Sequence, residues 1–165
     1  MGLKDLLAGS GTRVRPVSLQ QGETELCREV GSARPGTLTS VGGDLVLTDR
    51  RLIFTPLETR DVVEALSWGL KKAGAPGGVS GLPDRLGELV QQQELGGTSG
   101  LRGVASVGPG GGGGWLKPPT ILVRGTDGST TEIGVLAGRR SINRDKGNVV
   151  ARDRILTAIE TVLTP

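Results

Sequence analysis

The residues best suited to chemistry in this chain are cations. Arg139, Arg140, Arg144 and Lys146 fall within the stretch GRRSINRDKG (138–147), just ahead of a helical pattern. Guanidinium groups offer paired N–H donors that match phosphate and carboxylate oxygens. A helix N-terminus adds a partial positive charge of its own. The cluster therefore suits an anionic surface, such as lipid head groups. The plainer reading is a solvated loop partly balanced by Asp145 and Asp153. A second cationic pair, Arg50-Arg51, lies in GGDLVLTDRRLIFTPL (42–57). It could grip a phosphate, or it could be the polar turn of a hairpin with its stems covering the core edge.

A third candidate is hydrophobic. Leu66, Trp68 and Leu70, followed by Lys71 and Lys72, fit a helix that anchors on another surface. Trp68 is two residues from both Leu66 and Leu70, so it lies off their apolar stripe. An aromatic placed this way is a natural interaction anchor. The same composition also describes packing within the molecule, or a helix resting in a membrane interface.

Conventional catalytic sets are missing. The chain has no His, which removes the commonest general base and metal ligand. Cys27 is the single Cys, so no internal disulfide and no Cys cluster for zinc can form. In its strand-like context it reads as a small buried apolar residue. The glycine run GPGGGGG (108–114) lacks the Gly-Lys-Ser/Thr ending of a phosphate loop and is followed by WLKPP, which cannot open a helix. It reads as a flexible connector. Carboxylates at 44, 49, 58, 61 and 64 show no metal-ligand spacing. No cofactor and no enzymatic activity are expected.

The totals bound the rest. A chain of 165 residues fits one domain. Phe54, Trp68 and Trp115 are the only aromatics, so the core must be built from Leu, Val and Ile. The net charge of +3, with 15 Arg against 5 Lys, permits an acidic partner without requiring one. No aromatic interleaves with the basic cluster in sequence, which argues against base stacking and against nucleic acid as a partner. No stretch has the length of a membrane span, and MGLKDLLAGSG resembles neither a signal peptide nor a myristoylation site. A cytoplasmic protein is expected, with peripheral membrane contact as an option.

The elements that would carry these residues follow from period and turn chemistry. MGLKDLLA could form a short helix with Leu3, Leu6 and Leu7 on one side. RVRPVSL and ETELCREVGSA alternate as strands do. Leu45 and Leu47 share one face of a strand, Leu52 and Phe54 one face of the next, and Thr48-Asp49 favours the turn between them. Residues 59–74 read as a helix with Asp61 and Glu64 in its first turn, Lys71 and Lys72 in its last, and a stripe of Val62, Val63, Leu66 and Leu70. After the linker APGGVSG, residues 82–97 read as a second helix with Pro83 in its first position and Leu82, Leu86, Leu89 and Val90 as its stripe. A strand is expected over 101–108. The Asp127-Gly128 turn predicts a hairpin of 119–126 with 129–137. Asn148 reads as the cap of a final helix, 149–163, whose apolar side is Val150, Ile155, Ile159, Val162 and Leu163.

GDLVLTDRRLIFTP resembles the second hairpin of GRAM and bacterial PH-like domains, in which a strand ending in Leu-Thr is followed by a polar turn and Arg-Leu-x-Phe. LRGVASV, TILVRGTDGSTTEI and NVVARDRILTAIETVL are similar, in that order, to a later strand, the subsequent hairpin and the C-terminal capping helix of those domains. The resemblance covers roughly two thirds of the chain. It implies an α+β, mainly β fold: a PH-like barrel of two packed antiparallel sheets with a C-terminal helix, here as a single domain over 1–165. Residues 59–97 depart from the pattern as a helical insertion. The resemblance also implies a non-catalytic binding or assembly module. Its expected partner is a protein or a second copy of the chain, with the insertion as the contact. The alternative is an anionic membrane surface held by residues 139–146.

Overall fold

The computed structural model describes residues 16–33, 41–56, 92–115, 117–139 and 141–164. They form an antiparallel sheet of seven strands and a C-terminal helix. The strands are β1 (Glu25–Ala33), β2 (Val41–Thr48), β3 (Leu52–Pro56), β4 (Gln93–Leu95), β5 (Val104–Pro109), β6 (Thr120–Gly125) and β7 (Thr130–Leu136). A 3-10 turn, Gly97–Gly103, joins β4 to β5, and helix α1 spans Lys146–Leu163. The order across the sheet is β4-β3-β2-β1-β7-β6-β5. Two meanders, β1–β4 and β5–β7, are thus joined by the pairing of β1 with β7. Val30 lies opposite Leu136 there, and Ala33 opposite Ile133. Among the described residues no β4–β5 pairing closes the sheet.

The core follows from the strand period of two. Leu45, Leu47, Leu52, Phe54, Ile121, Val123, Ile133 and Val135 form one continuous apolar cluster. Helix α1 lays Ala151, Ile155, Leu156 and Ile159 on it. Phe54, the only Phe, needs room that glycines supply. A Cβ on Gly43 would come within 2.9 Å of the Phe54 ring, and one on Gly31 within 3.2 Å.

The structure corrects several expectations from sequence. The second predicted helix does not reach residue 97: Gln93–Leu95 is strand β4, with Leu52 opposite Leu95 and Phe54 opposite Gln93. Leu95 is buried there, and the open edge of β3 outweighs the weak helical pattern of QQQEL. The insertion positions 59–91, including Leu66, Trp68 and Leu70, lie outside the described residues, as does the predicted helix at 1–8. The strand expected at 101–108 begins at Val104, with Leu101–Gly103 in the 3-10 turn. Asp145, not Asn148, caps α1, and its carboxylate accepts the Gly147 N–H at 2.9 Å. Val150 does not join the apolar side of α1: it is 61% exposed. The Asp127-Gly128 hairpin is present, with Gly128 at φ 83.

Candidate functional site

The basic stretch before α1 is held by one buried side chain. Asn148 is fully buried, and its amide oxygen accepts the Ala137 N–H at 2.8 Å. Its amide nitrogen donates to the carbonyls of Ile142 (2.8 Å) and Asn143 (3.3 Å). The chain from the end of β7 to the start of α1 is therefore tied to the helix it precedes. Asn143 in turn donates to the carbonyl of Trp115 at 3.2 Å. That bond joins the loop to the β5–β6 connection.

The β5–β6 connection is hydrogen-bonded rather than a loose linker. Gly110 N–H donates to Thr120 O (2.8 Å), Thr120 N–H to Gly111 O (3.1 Å) and Gly113 N–H to Lys117 O (3.0 Å). Gly112 adopts φ 102, and a Cβ there would sit 2.1 Å from the Pro118 carbonyl oxygen. The glycine run serves close backbone approach and not flexibility alone. It delivers Trp115 to the surface, where the side chain is 77% exposed. Arg144 lies over the indole, 3.8 Å from the ring centroid, a cation–π contact. Ile142, at 59% exposure, and Val149 and Val150 in the first turn of α1 add exposed aliphatic surface nearby in the chain. Lys146 is exposed at the start of α1.

The four predicted cations thus separate. Arg144 stacks on Trp115, and Lys146 is exposed two residues further on, at the start of α1. Arg140 lies outside the described residues. Arg139 is engaged elsewhere: it donates to Asp44 Oδ1 at 2.7 Å, while Arg28 reaches Asp44 Oδ2 at 2.8 Å and bridges on to Glu25. Asp44 is nearly buried between the two guanidiniums. A carboxylate already holds Arg139, which weakens it as a ligand for another anion. The Arg28 guanidinium holds the Glu25 carboxyl below its usual value against the opposing effect of burial.

Arg50 and Arg51 point to different environments, as successive residues at a strand end do. Arg51 is buried and clamps three segments. It donates from Nε to Glu23 Oε1 (2.8 Å) and from Nη2 to Glu23 Oε2 (2.5 Å), and it pairs through Nη1 with Glu94 on β4. Nη2 also donates to the Ser18 carbonyl at 3.0 Å. The Thr48 hydroxyl donates to Glu23 Oε1 at 2.6 Å and accepts the Arg51 N–H at 2.8 Å. The bond from Arg51, first among several, lowers the Glu23 pKa to about 2, although burial opposes it. Arg51 is therefore a structural ion, neither a solvated turn residue nor a free phosphate ligand. Arg50 remains about half exposed.

No cluster of His, Cys, Asp or Glu able to hold a metal occurs among the described residues. Burial raises the Cys27 thiol pKa, which disfavours the thiolate. Glu29 is also raised, chiefly by burial, although Arg154 lies 3.2 Å away. Among the described residues no helix is long and apolar enough to cross a membrane.

Sequence reading missed Trp115, because its partner Arg144 is 29 residues away and only the fold joins them. A Trp placed directly after a glycine run was the available signal.

No family model matches the chain, and no curated protein matches it. Among solved structures, it is similar to the C-terminal domain of an unknown protein from Leishmania infantum. The likeness covers 88% of each chain at a TM-score of 0.50 and 12% identity, a similarity of fold.

Proposed function

We propose that this chain is a non-catalytic binding and assembly module of PH-like architecture, and that it docks a protein partner through the surface around Trp115 and Arg144. The observation that carries this reading is the exposed Trp115 ring, stacked by Arg144 and fixed by the Asn148-anchored loop. Trp and Arg are the residues that most often dominate binding at protein interfaces. A surface ordered before binding loses less conformational freedom on association. Ile142, Val149 and Val150, close to Arg144 in the chain, are exposed aliphatic residues as well. The strand order and the terminal helix support the PH-like reading, as does the order of the sequence segments that resemble GRAM domains.

A second reading has its own observation in favour. The exposed Trp115 under Arg144, with exposed aliphatic residues and Lys146 close to Arg144 in the chain, combines apolar and cationic signals, the pair that stable attachment to an anionic membrane requires. Sedimentation equilibrium and vesicle co-sedimentation separate the two readings. Concentration-dependent self-association of the wild type that Trp115→Ala abolishes, with the fold intact, would establish a second copy as a partner. Salt-sensitive binding to anionic vesicles alone, lost in Arg144→Glu, would replace the protein reading with the membrane one. Wild-type behaviour of Trp115→Ala in both assays would remove this surface from the function.

A further inference from the structure

We propose that the cleft between the β2–β3 turn and the Gly97–Gly103 turn binds a soluble phosphate monoester. The cleft is lined by Asp49, Arg50, Ser99, Leu101 and Arg102, with a volume of about 390 Å³. That lies toward the small end of ligand sites, roughly 300–1,000 Å³. Two guanidiniums and one hydroxyl line it from two segments distant in sequence. Together they supply the donors that phosphate oxygens accept.

The two sides are locked together before any ligand arrives. The Leu101 N–H donates to the Arg50 carbonyl at 2.8 Å. Gly100, at φ 58, passes so close that a Cβ would sit 2.5 Å from the same oxygen. This contact sets Ser99, Leu101 and Arg102 against Arg50. Among the described residues Arg50 donates only at long range, to Gln21 O at 3.3 Å and Gly22 O at 3.4 Å, which leaves most of its five N–H groups without a partner there. Arg102 is exposed, and among the described residues it forms no hydrogen bond or ion pair. Asp49 opposes an anion, but its Oδ1 is occupied by the Thr24 N–H at 2.9 Å and its Oδ2 lies 4.0 Å from Arg50 Nε. Two cations against one carboxylate leave a net positive cleft.

The position of the cleft favours a soluble ligand over a lipid. The β6–β7 turn adjoins it, since Thr126 N–H donates to Gly103 O at 2.9 Å. The Trp115–Arg144 surface is reached from the other end of β7, about 20 Å away for a seven-residue strand. A membrane held at that surface would not present a head group here.

Titration with glycerol 3-phosphate, followed by amide correlation spectra at constant ionic strength, tests the proposal. The expected result is saturable shifts centred on Arg50 and residues 99–102. The double variant Arg50→Gln with Arg102→Gln should weaken binding by roughly tenfold or more, the cost of losing charge-assisted hydrogen bonds. Ser99→Ala, at an exposed position, should weaken it less and provides a second reading should the double variant not fold. Arg144→Gln should leave it unchanged. Shifts no larger than those from sodium chloride at equal ionic strength would overturn the proposal. So would undiminished affinity in the cleft variants, or binding to phosphatidic acid vesicles without binding of glycerol 3-phosphate.

Discussion

Adjacent identical residues can hold opposite roles, and Arg50 and Arg51 do. Removing Arg51 would strand Glu23 in a buried position without its cation, which typically costs about 3–5 kcal/mol. Arg51→Ala should therefore lower the urea midpoint sharply, whereas Arg50→Ala should stay within about 0.5 kcal/mol of the wild type. Equal midpoints for the two variants would refute the division. The same ion pair shapes the response to acid. Glu23 has a folded pKa of about 2 against an ordinary value of 4.5, a depressed value. Its stabilising contribution is thus fully present above the unfolded value and is lost as pH falls from about 4.5 toward 2. Glu29, raised by burial, acts in the opposite sense. Stability measured across that window should fall less steeply in Glu23→Gln than in the wild type.

At the level of elements, the start of α1 depends on two polar side chains with separate duties. Asp145 caps the first turn, and Asp145→Ala should cost about 1 kcal/mol. Asn148 instead anchors the preceding loop by three hydrogen bonds inside the protein. Asn148→Ala leaves buried partners unsatisfied and should cost about 1–3 kcal/mol. It should also alter the indole fluorescence of Trp115, since Asn143 would lose its support, whereas Asp145→Ala should alter it less. Equal spectral changes from the two would mean that the helix cap, and not Asn148, orders the Trp115 loop. A further element-scale expectation concerns Gly100. Gly100→Ala meets both a positive φ and the Arg50 carbonyl, so it should destabilise the junction of the β2–β3 turn with the 3-10 turn. Amide exchange should quicken at Leu101 first.

For the molecule as a whole, α1 is part of the core rather than an appendage. Ile155 and Ile159 are fully buried against β-strand residues from both meanders. Ile155→Ala should cost about 2–5 kcal/mol, a large share of the roughly 5–15 kcal/mol available to a domain. The loss should appear in a single cooperative transition. Separate transitions for the helix and the sheet would contradict a shared core. Val150→Ala, on the exposed side of the same helix, should have almost no effect on that transition.

What the sequence determined by itself was local. The alternation of Leu45, Leu47, Leu52 and Phe54 specified the β2–β3 hairpin, Asp127-Gly128 specified the β6–β7 hairpin, and the 3.6-residue period marked the last helix. Each depends on neighbours within a few residues, which fix backbone angles and the buried face. The absence of His likewise removed histidine as a general base or metal ligand before any fold was known. Only the tertiary structure decided the rest. Gln93–Leu95 became a strand because β3 offered an unpaired edge, which no local pattern reveals. Arg51 became a buried ion because Glu23 and Glu94, distant in sequence, converge on it. Arg139 was drawn to Asp44 while Arg144 met Trp115, so a cluster that looked single divided into two environments. Such outcomes depend on which distant segments the sheet brings within hydrogen-bond range, and that is a property of the packed chain.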